Sequence, residues 1–446
     1  MPDLTELCGR AVEAASGREE VEAFAEEGRH TSVRARAGEI EEFVFAESRG
    51  VGVRVLIEGR QGYAYAADPY LDEVVELVER ARASARFAEP DPANVLAALE
   101  PADPLPEIYR PGQLEVPPER KVELALELER AAVSAHPEVR KVESASHGDA
   151  ASRVAVASTR GGPFEYSRTD SWVSVACLAE RDGETQTGFA FRLARETADL
   201  EWRAASEEAA GRAARLLGGR KPSSERLPVV LDPYAATAFL SVLAGALSAD
   251  AVQKGRSMLA PLVGQTIGSQ AVTLVDDGRL LEGQAAAPFD DEGVPTGRTV
   301  LIEGGTLRGF LHNTRTATRA GTRSTGNASR GGYRTVPGVS SSNLSFEPGA
   351  ASPEDVLRQA GRAVYVQEVS GLHSGANPVS GEFSVGAVGL RAEGGALTEP
   401  LREMTIASTL LDVLKSITAL GSDLRFLMGG LGAPTILVGE MTVAGV

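Results

Sequence analysis

The sequence predicts an α+β chain in two parts. An N-terminal α/β region of antiparallel strands with helices is followed by a C-terminal β-rich barrel or sandwich domain with accessory helices. Three observations carry this reading. Up to about residue 220, strand-type alternation gives way to helix-type periodicity, and that order occurs twice. At Lys221-Pro222-Ser223-Ser224-Glu225 the texture changes, and beyond it glycines are dense and strand-like segments short. Finally, Glu303-Gly304-Gly305 and Glu393-Gly394-Gly395 each sit between strand-like runs, which is hairpin chemistry.

Taken in order, residues 4–15 have an amphipathic helical pattern. Strand patterns follow at 39–46, 50–57 (GVGVRVLI) and 60–66 (RQGYAYA), the last two joined by a Glu58-Gly59 turn. Leu71, Val74, Val75, Leu77, Val78 and Ala81 place a helix over 70–87. Residues 88–116, rich in Pro and Ala, read as a linker or a long wrapping segment. Pro117 and Pro118 suit the first turn of a helix running to about 136. Strand patterns recur at 139–146, 153–158, 163–178 and 185–193, then a helix over 196–217 that stops at Gly218-Gly219. The residues themselves show no repeat. In the second part, strands are expected at 229–231, 272–275, 299–303, 306–312, 343–346, 363–369, 382–392 and 436–443, with helices over 234–249 and 406–420. The expected domains are therefore 1–220, made of two strand-then-helix units, and 226–446.

Composition narrows the function. Apolar residues make up 43% and charged residues 24% of 446, an ordinary globular balance. A net charge of −17 opposes bulk binding to nucleic acid or to an anionic membrane. The stretch 315–334 is Arg-rich but also rich in Gly, Ser and Thr, and reads as a solvated loop. Two cysteines, Cys8 and Cys177, suit a reducing compartment and the role of small buried hydrophobes. With an acidic N-terminus and no apolar run of spanning length, the expectation is a cytoplasmic protein.

Catalytic patterns are missing. No two of His30, His136, His147, His312 and His373 stand four or five apart, so no helix offers two imidazoles to one metal. Neither a phosphate-binding loop nor a GxSxG elbow nor a dinucleotide fingerprint is present. Asp276-Asp277 and Asp290-Asp291-Glu292 read first as turn chemistry on a solvated rim, and second as a weak divalent-cation site.

Longer blocks are more specific. SRGVGVRVLIEGR (48–60), FDDEGVPTGRTVLIEGGTLRGFLHNTRTA (289–317), PGVSSSNLSFEPG (337–349), GLHSGANPVSGEFSVG (371–386) and LGAPTILVGEMTVAG (431–445) occur in the order and spacing of the TldD/PmbA family, once called modulators of DNA gyrase. The chain resembles that family from about residue 20 to residue 445. The resemblance implies a two-subunit zinc peptidase. Its TldD-type subunit carries an HExxxH helix and a later cysteine as ligands, and its PmbA (TldE) subunit has the same fold without them. Counting back from Lys254-Gly255, which resembles the Lys-Gly after that motif, puts Leu240 and Gly245 at the histidine positions and Ser241 at the glutamate. The Gly-rich stretch 427–434, where the cysteine would fall, has none.

The resemblance therefore implies a non-catalytic subunit of the TldE type. It would carry no metal of its own and would form part of a peptide cleft for a zinc-bearing TldD-type partner, acting on unfolded or extended peptides. A homodimer of the isolated chain would stand in for that heterodimer. Candidate cleft residues are His312, Asn313, Tyr333, Arg334, His373, Ser374 and Asn377. Each has a structural alternative: a hydrogen-bonded His, a core Tyr, an Asn turn before Pro378. Two other readings stand beside this one. One is a stand-alone hydrolase using His373-Ser374 or His312; the other is a regulatory or binding protein with no role in proteolysis.

Overall fold

Two copies of one helix–three strands–helix unit build the N-terminal part. The structure, a computed structural model, describes residues 2–377 and 379–445, and for His373 the backbone alone. The first unit is α1 (Leu4–Glu13), β1 (Glu20–Arg36), β2 (Glu39–Ile57), β3 (Arg60–Ala67) and α2 (Leu71–Ala85). The second is α3 (Pro118–Ala135), β4 (Val139–Ser158), β5 (Gly161–Arg181), β6 (Glu184–Ala194) and α4 (Trp202–Ala214). Their strands form one sheet in the order β3-β2-β1-β4-β5-β6, antiparallel throughout.

Side chains alternate between faces along a strand. Val21, Ala23 and Ala25 of β1 pack with α1 and α2, and Val33 and Ala35 with Ala125 of α3, so all the helices lie on one face. The repeat that the residues conceal is visible in two glycines. A Cβ on Gly62 of β3 would lie 1.8 Å from the Ala81 carbonyl oxygen of α2, and one on Gly188 of β6 would lie 2.2 Å from the Ala213 nitrogen of α4. Each unit thus seats its last helix on its last strand through a bare backbone.

The C-terminal part is organised around a barrel. Strands β7 (Glu225–Leu231), β8 (Arg362–Ser370), β9 (Glu382–Glu393), β10 (Ala396–Thr409) and β11 (Ile436–Ala444) run in the order β10-β9-β8-β7-β11, and β11 pairs back to β10 to close it. Helix α5 (Pro233–Ala246) follows β7 and packs into the barrel core. A second six-stranded sheet of short strands, Leu274–Asp277 at its centre, lies beside it. The segment 88–116 is a wrapping one: it holds only two 3-10 turns, yet Ala93, Leu96, Ala97 and Ile108 are buried. Both cysteines are buried and free. Among the described residues no helix is long and apolar enough to cross a membrane.

Several expectations need correction. Strand β1, at the centre of the sheet, is absent from the sequence reading because charged and apolar residues mix in EVEAFAEEGRHTSVRAR. The separate strands expected at 39–46 and 50–57 are one, as are 139–146 and 153–158, since small residues such as Gly148 and Ala150 continue the ladder. Only Thr306–Leu307 of 306–312 is strand. The helix expected over 406–420 shrinks to Leu410–Ser416. Ile406 and its β-branched neighbours extend β10, Thr409 caps the helix by accepting from the Asp412 N–H at 3.0 Å, and 417–420 is strand again.

The acidic clusters are not a solvated rim: Asp276, Asp290 and Glu292 are buried. Nor is 315–334 simply a solvated loop. It starts in a helix (Thr314–Ala320), and the Arg330 side chain is fully buried.

Candidate functional site

Helix α5 is where the metal-motif positions fall, and its two faces differ. Asp232 caps it, accepting from the Tyr234 N–H at 2.9 Å, while its other oxygen accepts from Arg212 at 2.7 Å and from the Tyr365 hydroxyl at 2.5 Å. Phe239, Leu240 and Leu243 enter the barrel core against Val229, Val364 and Ile406, and Leu240 is 1% exposed. An apolar cavity of about 30 Å³ remains between Leu240, Leu243, Phe346 and Leu414. Ser241 and Gly245 are exposed, and the Ser241 hydroxyl donates to the Ala238 carbonyl at 2.7 Å. Helical residues five apart differ by roughly 140° in direction, so Leu240 and Gly245 look different ways. An alkyl group, a hydroxyl and a glycine are no donor set for zinc, which takes thiolate, imidazole or carboxylate. These residues do not fit the ion. Among the described residues no three His, Cys, Asp or Glu side chains gather as a metal site.

His312 lies beside the end of this helix. The Leu311 N–H donates to the Leu247 carbonyl and the Leu311 carbonyl accepts from the Ala249 N–H, both at 2.9 Å. The His312 ring is half-buried, burial lowers its pKa, and its Nδ1 meets no partner. Asn313 is structural: it is buried, caps the next helix by accepting from the Thr316 N–H at 2.9 Å, and donates to the Gly338 carbonyl at 3.2 Å.

Tyr333 is core as well. Its ring lies over Gly50 of β2, where a Cβ would come within 2.4 Å of the ring, and its carbonyl accepts from the Tyr63 hydroxyl at 2.8 Å. Gly52 leaves room for the same loop, since a Cβ there would be 2.3 Å from the Tyr333 carbonyl oxygen. The glycines of GVGVRVLI thus admit a loop from the other half of the chain. Arg334 is exposed and donates to the Tyr333 hydroxyl at 3.1 Å.

The remaining candidates lie on the loop between β8 and β9. Ser374 is exposed and donates to the Gly371 carbonyl at 3.3 Å. Asn377 builds a turn, accepting from the Val379 N–H at 2.9 Å. The His373 side chain lies outside the described residues, as does Pro378. No described contact joins this loop to His312 or Tyr333.

The sequence reading missed the strongest polar feature, a buried ion network between the two halves. Arg54 of β2 donates to Glu22 at 2.6 Å and to Glu292 at 3.1 Å. Arg330 pairs with Glu22 on one side and stacks 5.0 Å from the Phe24 ring on the other. Glu292 also accepts from the Thr314 N–H at 2.9 Å. Asp290 accepts from the N–H groups of Glu292 and Ala328, both at 2.9 Å, and burial pushes its carboxyl pKa well up. Asp291 accepts from the Arg330 N–H at 2.6 Å and is pushed up to about 6, chiefly by burial. The available signal was Arg54 at an inward position of an apolar strand together with a run of three acids: buried charges come paired.

Comparison with known proteins follows this geometry closely. Models of the PmbA/TldA metallopeptidase match all three portions: domain 1 at 21–85, the central domain at 111–217 and the C-terminal domain at 224–445. The chain is 30% identical to metalloprotease PmbA of Escherichia coli O157:H7, covering 99% of this chain and 96% of that one. It is 26% identical to a metalloprotease TldD homologue of Haemophilus influenzae, covering 92% and 89%. A crystal structure of a Thermotoga maritima protein, proposed there to modulate a DNA gyrase, superposes with a TM-score of 0.91 at 28% identity over 98% of this chain and 99% of that one. TldE of Thermococcus kodakarensis has the same fold, with a TM-score of 0.90 at 22% identity over 98% and 99%. The architecture is metallopeptidase-like, two helix-backed strand units joined to a closed barrel. The chain belongs to the PmbA/TldD family.

Proposed function

We propose that this chain is the metal-free, cleft-forming subunit of a two-subunit zinc peptidase, paired with a paralogue of TldD type that supplies the zinc, the water and the general base. The observation that carries the proposal is α5. Its motif positions hold Leu240, Ser241 and Gly245, and Leu240 is committed to the barrel core. A relative named TldE shares the whole fold, and one named a TldD homologue aligns over nearly the full chain. An unfolded substrate needs sequence-tolerant binding, which main-chain pairing provides, with side-chain pockets adding selectivity. His312, beside the end of α5, and the exposed Arg334 and Ser374 are the side chains of this subunit best placed to line such a cleft.

The test is reconstitution with the TldD-type paralogue of the same organism. The proposal expects chelator-sensitive cleavage of an unfolded peptide by the pair and none by this chain alone. Cleavage by the paralogue alone would favour a regulatory role, and chelator-sensitive cleavage by this chain alone would overturn the proposal.

A further inference from the structure

The helix-bearing face of the N-terminal sheet is covered at its two ends and open in the middle. Val21, Ala23 and Ala25 of β1 lie under α1 and α2, and Val33 and Ala35 lie under α3. Residues two apart on a strand share a face, so Glu27 and Arg29 belong to this same face, in the gap between the helix pairs. Thr31, next in the row, is taken up by Lys121 of α3, whose Nζ donates to its hydroxyl at 3.0 Å. Register sets Arg49 of β2 and Arg153 of β4 beside Glu27, and Glu47 and Ala151 beside Arg29. A face that is otherwise apolar thus carries a charged strip. Tyr109 and Leu114 of the wrapping segment reach over it and leave a cavity of about 580 Å³, with Asp68 among its lining residues. That volume suits a small organic ligand, since such sites run from about 300 to 1,000 Å³.

Part of the strip satisfies itself. Glu27 accepts from Arg49 at 3.3 Å and lies 3.8 Å from Arg153, which is also held by Asp3 at 2.8 Å and Glu165 at 2.5 Å. Four groups are left over. Among the described residues the half-buried Arg29 side chain has no ion pair or hydrogen bond, although Glu47 stands directly opposite it in the ladder. The exposed carboxylates of Glu47 and Asp68 have none either, and Nη1 of Arg49 is buried without an acceptor. A buried cationic N–H left unmade is costly, and guanidinium groups bind carboxylates strongly.

We propose that this cavity binds a small zwitterion with an apolar middle, a free amino acid or a short peptide with free ends. Its carboxylate is held by Arg29 and Arg49 Nη1, its ammonium by Glu47 and Asp68, and its apolar part by Tyr109 and Leu114. A simple anion meets Glu27, Glu47 and Asp68 on a chain of net charge −17, and a simple cation meets three arginines. A ligand carrying both charges meets neither obstacle. The site belongs to this chain alone and does not rest on the peptidase reading, which would stand if the cavity bound nothing.

Titration calorimetry of the full chain tests this with leucine, with the tripeptide Ala-Leu-Ala, and with that tripeptide N-acetylated or C-amidated. Leucine or free Ala-Leu-Ala should bind saturably with a Kd below about 1 mM, and capping either end of the tripeptide should weaken it at least tenfold. Tighter binding of leucine makes the ligand a free amino acid, and tighter binding of Ala-Leu-Ala makes it a peptide. Arg29→Gln should weaken binding at least tenfold and leave the urea midpoint unchanged, because Arg29 holds nothing in the fold. Glu47→Gln with Asp68→Asn should bring the free tripeptide down to the affinity of its N-acetylated form. No saturable binding of either zwitterion at about 1 mM would overturn the proposal. Equal binding of the capped and free tripeptides, or full affinity in both the Arg29 variant and the double variant, would overturn it too.

Discussion

Truncation of Leu240 to alanine separates a structural α5 from one that faces a cleft. Leu240 is 1% exposed, between Phe239 and Leu243 in the barrel core, and already borders a cavity of about 30 Å³. Removing the isobutyl group enlarges that void, and core Leu-to-Ala changes cost roughly 3–5 kcal/mol, rising with residual cavity volume. A site with a void already beside it belongs in the upper half of that range, at about 4 kcal/mol. Ser241, one residue on, is exposed and donates only to its own helix, so Ser241→Ala should stay within about 0.5 kcal/mol. Urea unfolding followed by far-ultraviolet circular dichroism reads both. A Leu240→Ala cost below about 1 kcal/mol, or a larger cost for Ser241→Ala, would refute the orientation of the helix and the reasoning built on it.

Gly245 lies exposed inside α5, and a Cβ there would meet nothing within 4 Å, so Gly245→Ala should raise stability by about 0.5–1 kcal/mol in the same assay. Arg54→Ala leaves Glu292 buried without its cation and should cost roughly 3–5 kcal/mol, seen as an earlier urea midpoint. Asp291 is pushed up to about 6 by burial, so the fold favours its protonated form. Its contribution is fully present below the unfolded value near 3.8 and is lost as pH rises through about 6. The difference is at most about 3 kcal/mol, reduced by the water that still reaches this partly covered residue. Asp291→Asn keeps an acceptor for the Arg330 N–H and should flatten the loss of stability between pH 4 and 7; an unchanged slope would place the titration elsewhere.

Much of the fold was legible in the sequence because it rests on local signals. The helix over 70–87, the Glu58-Gly59 turn and the two Gly-Gly hairpins all depend on periodicity or on positive-φ glycines, and all are present. What the sequence concealed depends on distant partners. Strand β1 carries Glu22 and Glu26 inward because Arg54, Arg330 and the Tyr333 N–H await them from elsewhere in the chain. The 290–292 acids looked solvated for the same reason. Ile406 sits in a helical pattern, but tertiary pairing with Val385 and Val443 holds it in strand. At the candidate site, the absence of donors from α5 could be read directly. That Asn313 and Tyr333 are structural could not, because their partners, Gly338 and Gly50, lie at other points of the chain.

The most direct measurement is the metal content of each subunit after the reconstituted pair is purified and then separated. About one equivalent of zinc should travel with the TldD-type paralogue and none with this chain. One equivalent bound to this chain would mean that ligands other than Leu240, Ser241 and Gly245 hold the ion, and the metal-free assignment would be wrong.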